Sequence, residues 1–125
     1  CPETEHFIDV AAIEKMKDGA VLINTARGPL VNNSALIDAL ESGKLSGAGL
    51  DVFDGDRLIY YRDFKNQLIA QRQMAILNAM PNVLMLPHMA YYTDQAVEDM
   101  VRNSLDGAAR YLNGEEDPWL IGEKV

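Results

Sequence analysis

The sequence is poor in cysteine, histidine and basic residues, and it has no long apolar run. Its single cysteine, Cys1, permits no internal disulfide, and with two histidines it cannot supply a Cys/His zinc site. A reducing cytoplasm is the expected compartment for such a chain. Eleven Lys and Arg stand against 19 Asp and Glu, a net charge of −8. That field repels a phosphate backbone, so nucleic acid is not an expected partner, although a local cation can still hold a small anion. No apolar stretch approaches the roughly 18 residues of a membrane span, and no basic segment with an apolar core opens the chain, so no membrane association is expected. The chain opens with Cys1 rather than Met, which suggests a processed or partial chain. What is present is ordinary for one globular domain: 125 residues, 48% hydrophobic and 24% charged. That composition excludes a disordered tail or a fibrous repeat.

Helices and strands alternate along the chain. Asp9 is a suitable N-cap for a helix over residues 10–18, with Gly19 as its stop. Ala20-Val21-Leu22-Ile23-Asn24-Thr25 is apolar nearly throughout and too short for a typical helix, which predicts a strand covered on both faces. Asn33 is the expected cap of a helix over 34–42, whose apolar stripe is Leu36, Ile37 and Leu40 and whose end is Gly43. Gly47-Ala48-Gly49-Leu50-Asp51-Val52-Phe53 reads as a second strand. Residues 54–80 interrupt the rhythm, with a helix predicted over 67–78 and an aromatic pair, Tyr60-Tyr61, suited to a local clamp or a subunit contact. Val83-Leu84-Met85-Leu86 is a third strand, stopped by Pro87. Thr93 caps a long helix over 94–112, and Gly114 ends it before a loose acidic tail. The fold class is α/β: about three strands of a doubly wound parallel sheet with flanking helices, plus a long C-terminal helix. Residues 1–113 form the domain portion and 114–125 the tail. So thin a sheet leaves apolar edges, which predicts either a homodimer or part of a larger doubly wound domain, and the sequence favours the larger domain.

In an open parallel sheet, ligands sit beyond the carboxyl ends of the strands. Three such ends carry Asn24-Thr25-Ala26-Arg27-Gly28, then Asp51 with Asp54-Gly55-Asp56, then Pro87-His88-Met89-Ala90. An arginine, a carboxylate and a histidine on one rim supply an anion holder, an orienting acid and a proton carrier. Each alone is equally well read as a solvated loop residue; it is their joint placement that points to a site.

Asn24-Thr25-Ala26-Arg27-Gly28-Pro29-Leu30-Val31, Gly47-Ala48-Gly49-Leu50-Asp51-Val52-Phe53 and Pro87-His88-Met89-Ala90, in that order, resemble the D-isomer-specific 2-hydroxyacid dehydrogenases. The inserted stretch before Pro81 and Tyr91-Tyr92-Thr93 resemble their D-lactate dehydrogenase branch. The resemblance covers nearly the whole chain and matches the C-terminal portion of a Rossmann-type NAD-binding domain with its return helix. It implies an NAD-dependent oxidoreductase acting on a small 2-oxo or 2-hydroxy acid. It implies that Arg27 grips the substrate carboxylate, that His88 exchanges a proton with the substrate oxygen, and that Asp56 stands where the family's histidine-pairing glutamate falls, one methylene shorter. Cofactor contacts fall on Thr4, Thr25, Ala26, Arg27, Asp51, His88 and Ala90, and Tyr91 falls where an aromatic residue borders the substrate.

No G-x-G-x-x-G occurs in the chain, so the pyrophosphate half of a dinucleotide site is not supplied, and the chain on its own is expected to be inactive. A non-catalytic remnant that associates through its sheet edges, and a D-glycerate or phosphoglycerate dehydrogenase, are the rival readings; the aromatic insertion and Tyr91-Tyr92 argue against the latter. No metal site is expected: an EF-hand loop beginning at Asp51 would put Phe53 and Arg62 at ligand positions. His6 has no acid or cysteine pattern beside it in sequence and reads as a surface or capping residue.

Overall fold

A computed structural model of the chain describes residues 2–60 and 62–117. The chain forms two compact units, residues 1–90 and 91–125. Cys1, Tyr61 and the tail residues 118–125 lie outside the described residues.

The first unit is a three-stranded parallel sheet with helices packed on one face. Its order is α1 (Val10–Glu14), β1 (Ala20–Asn24), α2 (Asn33–Glu41), β2 (Leu45–Leu50), α3 (Arg72–Ala79) and β3 (Val83–Met85). The strands lie side by side as β1-β2-β3, with Asn24 opposite Leu50 and Leu50 opposite Met85. All three carboxyl ends therefore open on one edge of the sheet. Leu22, Leu36, Leu40, Leu45, Leu50 and Leu77 belong to one buried cluster between sheet and helices. No helix among the described residues is long and apolar enough to cross a membrane.

The expected elements are all present, with shifted bounds. Asp9 caps α1, its Oδ1 accepting the Ala12 N–H at 2.8 Å. The helix ends at Glu14 rather than reaching residue 18, because the next turn is drawn onto the β2 entry. Lys44 Nζ donates to Met16 O at 2.7 Å and to Asp18 Oδ1 at 2.6 Å, and Gly19, at φ 75°, donates to Lys44 O. The cap of α2 is Asn32 and not Asn33. Asn32 keeps an extended backbone and accepts the Ala35 N–H at 3.0 Å. Asn33 is already helical, and its buried amide donates to Asp54 O and Gln73 Oε1. β2 begins at Leu45, where it pairs with Ala20, and leaves the sheet at Asp51 rather than running on to Phe53. α3 starts at Arg72 rather than residue 67, because Asn66 sits at φ 63° and Gln71 keeps a non-helical backbone.

The sheet is also covered differently from the sequence expectation. Leu22 and Asn24 of β1 face the core, but Val21 and Ile23 are 62% and 72% exposed, as is Leu84 of β3 at 62%. The helices of this unit lie on one side, so the apolar run meets only half of its expected cover.

The second unit centres on α4 (Asp94–Asn113), capped by Thr93 Oγ1 on the Ala96 N–H and ended by Gly114 at φ 68°. Both ends agree with the sequence reading. The helix buries none of its residues.

Leu77 is fully enclosed in the core, and truncating such a side chain costs about 2–5 kcal/mol. Urea unfolding of Leu77→Ala is expected to show a loss in that range. Leu68→Ala, at a position 89% exposed, is expected to stay within about 0.5 kcal/mol of the parent.

Candidate active site

The site is built from the three segments that follow the strands. After β1, the buried amide of Asn24 braces the loop from both sides: Nδ2 donates to Arg27 O at 3.0 Å and Oδ1 accepts the Ala26 N–H at 3.1 Å. Thr25, Ala26 and Arg27 are thereby held out at the sheet edge, all three exposed. Gly28 follows with its Cα against the next loop, where a Cβ would fall 2.0 Å from Phe53 O. Only glycine allows the two loops to pass so closely.

After β2, the chain runs through Asp51 to a tight turn at Gly55, φ 99°, and a short 3-10 turn, Asp56–Leu58. Asp51 is 3% exposed, and each of its oxygens has a backbone donor: Met89 N–H reaches Oδ1 at 2.7 Å and Ala90 N–H reaches Oδ2 at 2.8 Å. The ladder between β2 and β3 continues past the strands, with Leu86 N–H on Leu50 O at 2.8 Å and His88 N–H on Asp51 O at 2.9 Å. His88 itself sits at φ 57°, a region that side-chain-bearing residues enter only when their surroundings hold them there.

These restraints bring His88 Nδ1 to 3.2 Å from Asp56 Oδ2. Both atoms are buried, so the pair meets out of contact with water. Asp56 is 4% exposed, although it is a carboxylate. Arg27, Asp56 and His88 line one cavity of about 460 Å3 together with Thr4, Asp54 and Arg57. The arginine, acid and histidine placed on one rim by the sequence are thus gathered in one space. Arg27 Nη1 donates to Ala26 O within its own loop at 2.6 Å. Among the described residues no group of three or more His, Cys, Asp or Glu side chains could hold a metal ion.

Other features were invisible in the sequence. His6 is not a helix cap: its Nε2 lies 3.1 Å from Asp54 Oδ2, tying the N-terminal segment to the turn that carries Asp56. Asn24 and Asn33 had no signal as braces, since their partners are backbone carbonyls of loops whose course a sequence does not give. Tyr91 opens the second unit, its ring edge-on to Tyr92 with centroids 6.2 Å apart.

Residues 1–90 match the family model described as D-isomer specific 2-hydroxyacid dehydrogenase, NAD binding domain. The chain belongs to this family. Among its curated relatives, a D-specific alpha-keto acid dehydrogenase of Enterococcus faecium is 42% identical over 91% of this chain and 35% of its own. A D-lactate dehydrogenase of Treponema pallidum is 40% identical over 90% and 34%. Among solved structures, D-lactate dehydrogenase with NAD+ from Lactobacillus jensenii superposes with a TM-score of 0.86 at 35% identity, covering 98% of this chain and 37% of that one. The chain spans about a third of the length of the family members it matches.

The cofactor of this family domain is NAD, and the residues present fit its nicotinamide end. Asp51 offers a buried carboxylate at the edge of the site. Each oxygen carries one N–H from the protein, and a carboxylate has capacity for about four donors, which leaves room for a carboxamide N–H. Thr25, Ala26 and Ala90 lie exposed around it.

Asp51→Asn puts an amide NH2 where one of the two backbone N–H groups now finds an acceptor. Loss of a buried charged hydrogen bond costs about 1.5–3 kcal/mol. The variant is expected to unfold at correspondingly lower urea and to exchange the Met89 and Ala90 amides faster, as read by hydrogen exchange. Unchanged protection at both amides would contradict the clamp.

Proposed function

We propose that this chain is the nicotinamide-side portion of an NAD-dependent D-2-hydroxyacid dehydrogenase of the D-lactate type, acting on a small 2-oxo acid such as pyruvate. The approach of His88 to Asp56 at 3.2 Å, in the cavity that Arg27 also lines, carries this reading. The names of the relatives add to it.

When bound, the reduced cofactor supplies a hydride to C2 of the substrate. The chain's own groups do the rest. Arg27 holds the carboxylate through its guanidinium fork, giving up its bond to Ala26 O as it does so. His88 donates its Nε2 proton to the carbonyl oxygen, which becomes the hydroxyl. Its Nδ1 faces Asp56, whose negative charge offsets that of the imidazolium before the proton leaves and fixes which nitrogen meets the substrate. Oxidation of the hydroxy acid reverses these roles. Thr4, Thr25, Ala26, Asp51 and Ala90 border the cofactor. On this reading the phosphate-binding loop and the part that closes over the cavity to exclude water belong to the remaining two thirds of the protein. The reading also includes a cytoplasmic homodimer.

The test is reduction of pyruvate and other 2-oxo acids by the intact protein, followed as loss of NADH absorbance. Arg27→Ala is expected to lower kcat/KM by at least about 100-fold, the loss of roughly 2.7 kcal/mol of charged hydrogen bonding. Asp56→Asn is expected to lower kcat with little change in KM, since it acts through His88 and not on the carboxylate. The 125 residues alone are expected to turn over nothing. An intact protein that reduces no 2-oxo acid would defeat the reading, as would Arg27→Ala activity equal to that of the parent.

A further inference from the structure

Aspartate is shorter than glutamate by one C–C bond, about 1.5 Å. Asp56 nevertheless reaches to 3.2 Å from His88 Nδ1, so the two backbones must stand close. His88 is held on its own side by Asp51. The turn carrying Asp56 needs a tie of its own.

Tyr60 supplies one. Its backbone N–H bonds to Asp56 O at 3.0 Å, which fixes it to the turn. Its ring stands edge-on to the buried Phe53, with centroids 6.0 Å apart and planes at 83°. Its hydroxyl donates to Leu86 O at 3.3 Å, two residues before His88. A single side chain therefore spans from the acid's turn to the histidine's segment. Burial, and then the carboxylates of Asp56 and Asp51, push the Tyr60 phenol above its ordinary range. It thus stays protonated, and a donor, throughout the neutral range.

We propose that Tyr60 is a positioning residue: its hydroxyl, bonded to Leu86 O, draws the Asp56 turn toward the His88 segment, so that a carboxylate as short as aspartate serves the imidazole. The proposal rests on the reading of His88 and Asp56 as the proton-transfer pair. It differs from a merely structural role in one respect. If Tyr60 acts by closing a gap, a longer acid makes it dispensable.

The experiment uses four forms of the intact enzyme: parent, Tyr60→Phe, Asp56→Glu and the double variant. Tyr60→Phe removes one oxygen and keeps the ring against Phe53. It is expected to lower kcat for pyruvate reduction about tenfold at unchanged KM, because displacements near 1 Å are costly at a proton-transfer pair. Asp56→Glu sets a second baseline, with a kcat of its own. In the double variant, where the added methylene spans the gap, loss of the hydroxyl is expected to change kcat by less than about twofold from Asp56→Glu, a non-additive result. Thermal melts check that all four are folded. Tyr60→Phe with the parent's kcat, or a double variant as much slower than Asp56→Glu as Tyr60→Phe is than the parent, overturns the proposal.

If the parent itself reduces no 2-oxo acid, the functional reading fails, and the imidazole 15N shifts of His88 in the same four proteins decide the role of Tyr60. A change in Tyr60→Phe that reverts in the double variant supports the tie. Identical shifts in the parent and Tyr60→Phe refute it.

Discussion

The carboxylate of Asp51 accepts the Met89 N–H at one oxygen and the Ala90 N–H at the other, while its backbone carbonyl takes the His88 N–H. Three consecutive residues after β3 are thus fixed by one residue after β2. Each charged bond contributes about 1.5–3 kcal/mol where water is excluded, enough to hold His88 at its left-handed backbone angle. The rest of the site depends on this clamp. Without it the imidazole has no fixed position, and neither the approach of Asp56 nor the shared cavity with Arg27 would persist. It also explains why a carboxylate can be 3% exposed at a sheet edge: its charge is met by aimed backbone donors.

The loops around the clamp use the same economy. Asn24 is a side chain of β1 that faces the core and turns both of its polar ends on the loop carrying Arg27. Gly28 removes the Cβ that would otherwise hold this loop away from Phe53 O. Asn33, at the start of α2, reaches across to Asp54 O. Rigid elements thus aim polar groups at loop backbone, and the loops in turn present side chains to the cavity. Precision at the site comes from the strands and α2.

How much of this could be read from residues alone follows from the range of each signal. Local signals were sound: Asp9, Thr93 and Gly114 cap and stop helices as their chemistry dictates. The cap of α2 was read one residue late, at Asn33 instead of Asn32. The choice is made by Asp54 and Gln73, which capture the Asn33 amide. Apolar runs located the strands, but the run of β1 gave no hint that one face is bare in this unit, because burial depends on what lies beside the strand. The strand-end rule gathered Arg27, Asp56 and His88 correctly. The contributions of Tyr60 and His6 were beyond it, since each acts through a partner remote in sequence, Leu86 O and Asp54.

A chain of net charge −8 is an unlikely host for an anionic substrate if only the total is considered. The arrangement of the cavity removes the difficulty. Two of its acids, Asp54 and Asp56, each stand against a histidine at close to 3 Å, so their charge is directed at the imidazoles. Glu5 also lines the cavity but is exposed, and like the acids elsewhere on the surface it acts through water and salt, which screen charges beyond about 8–10 Å. Arg27 has no acidic partner at salt-bridge distance among the described residues and spends one N–H on its own loop carbonyl. That bond holds the guanidinium in the cavity without neutralising it. A carboxylate arriving there displaces a neutral partner, not a competing charge, so the exchange gains a charge-assisted fork in place of a single neutral-acceptor bond. The local pairing of charges, and not their sum, decides what the site can hold.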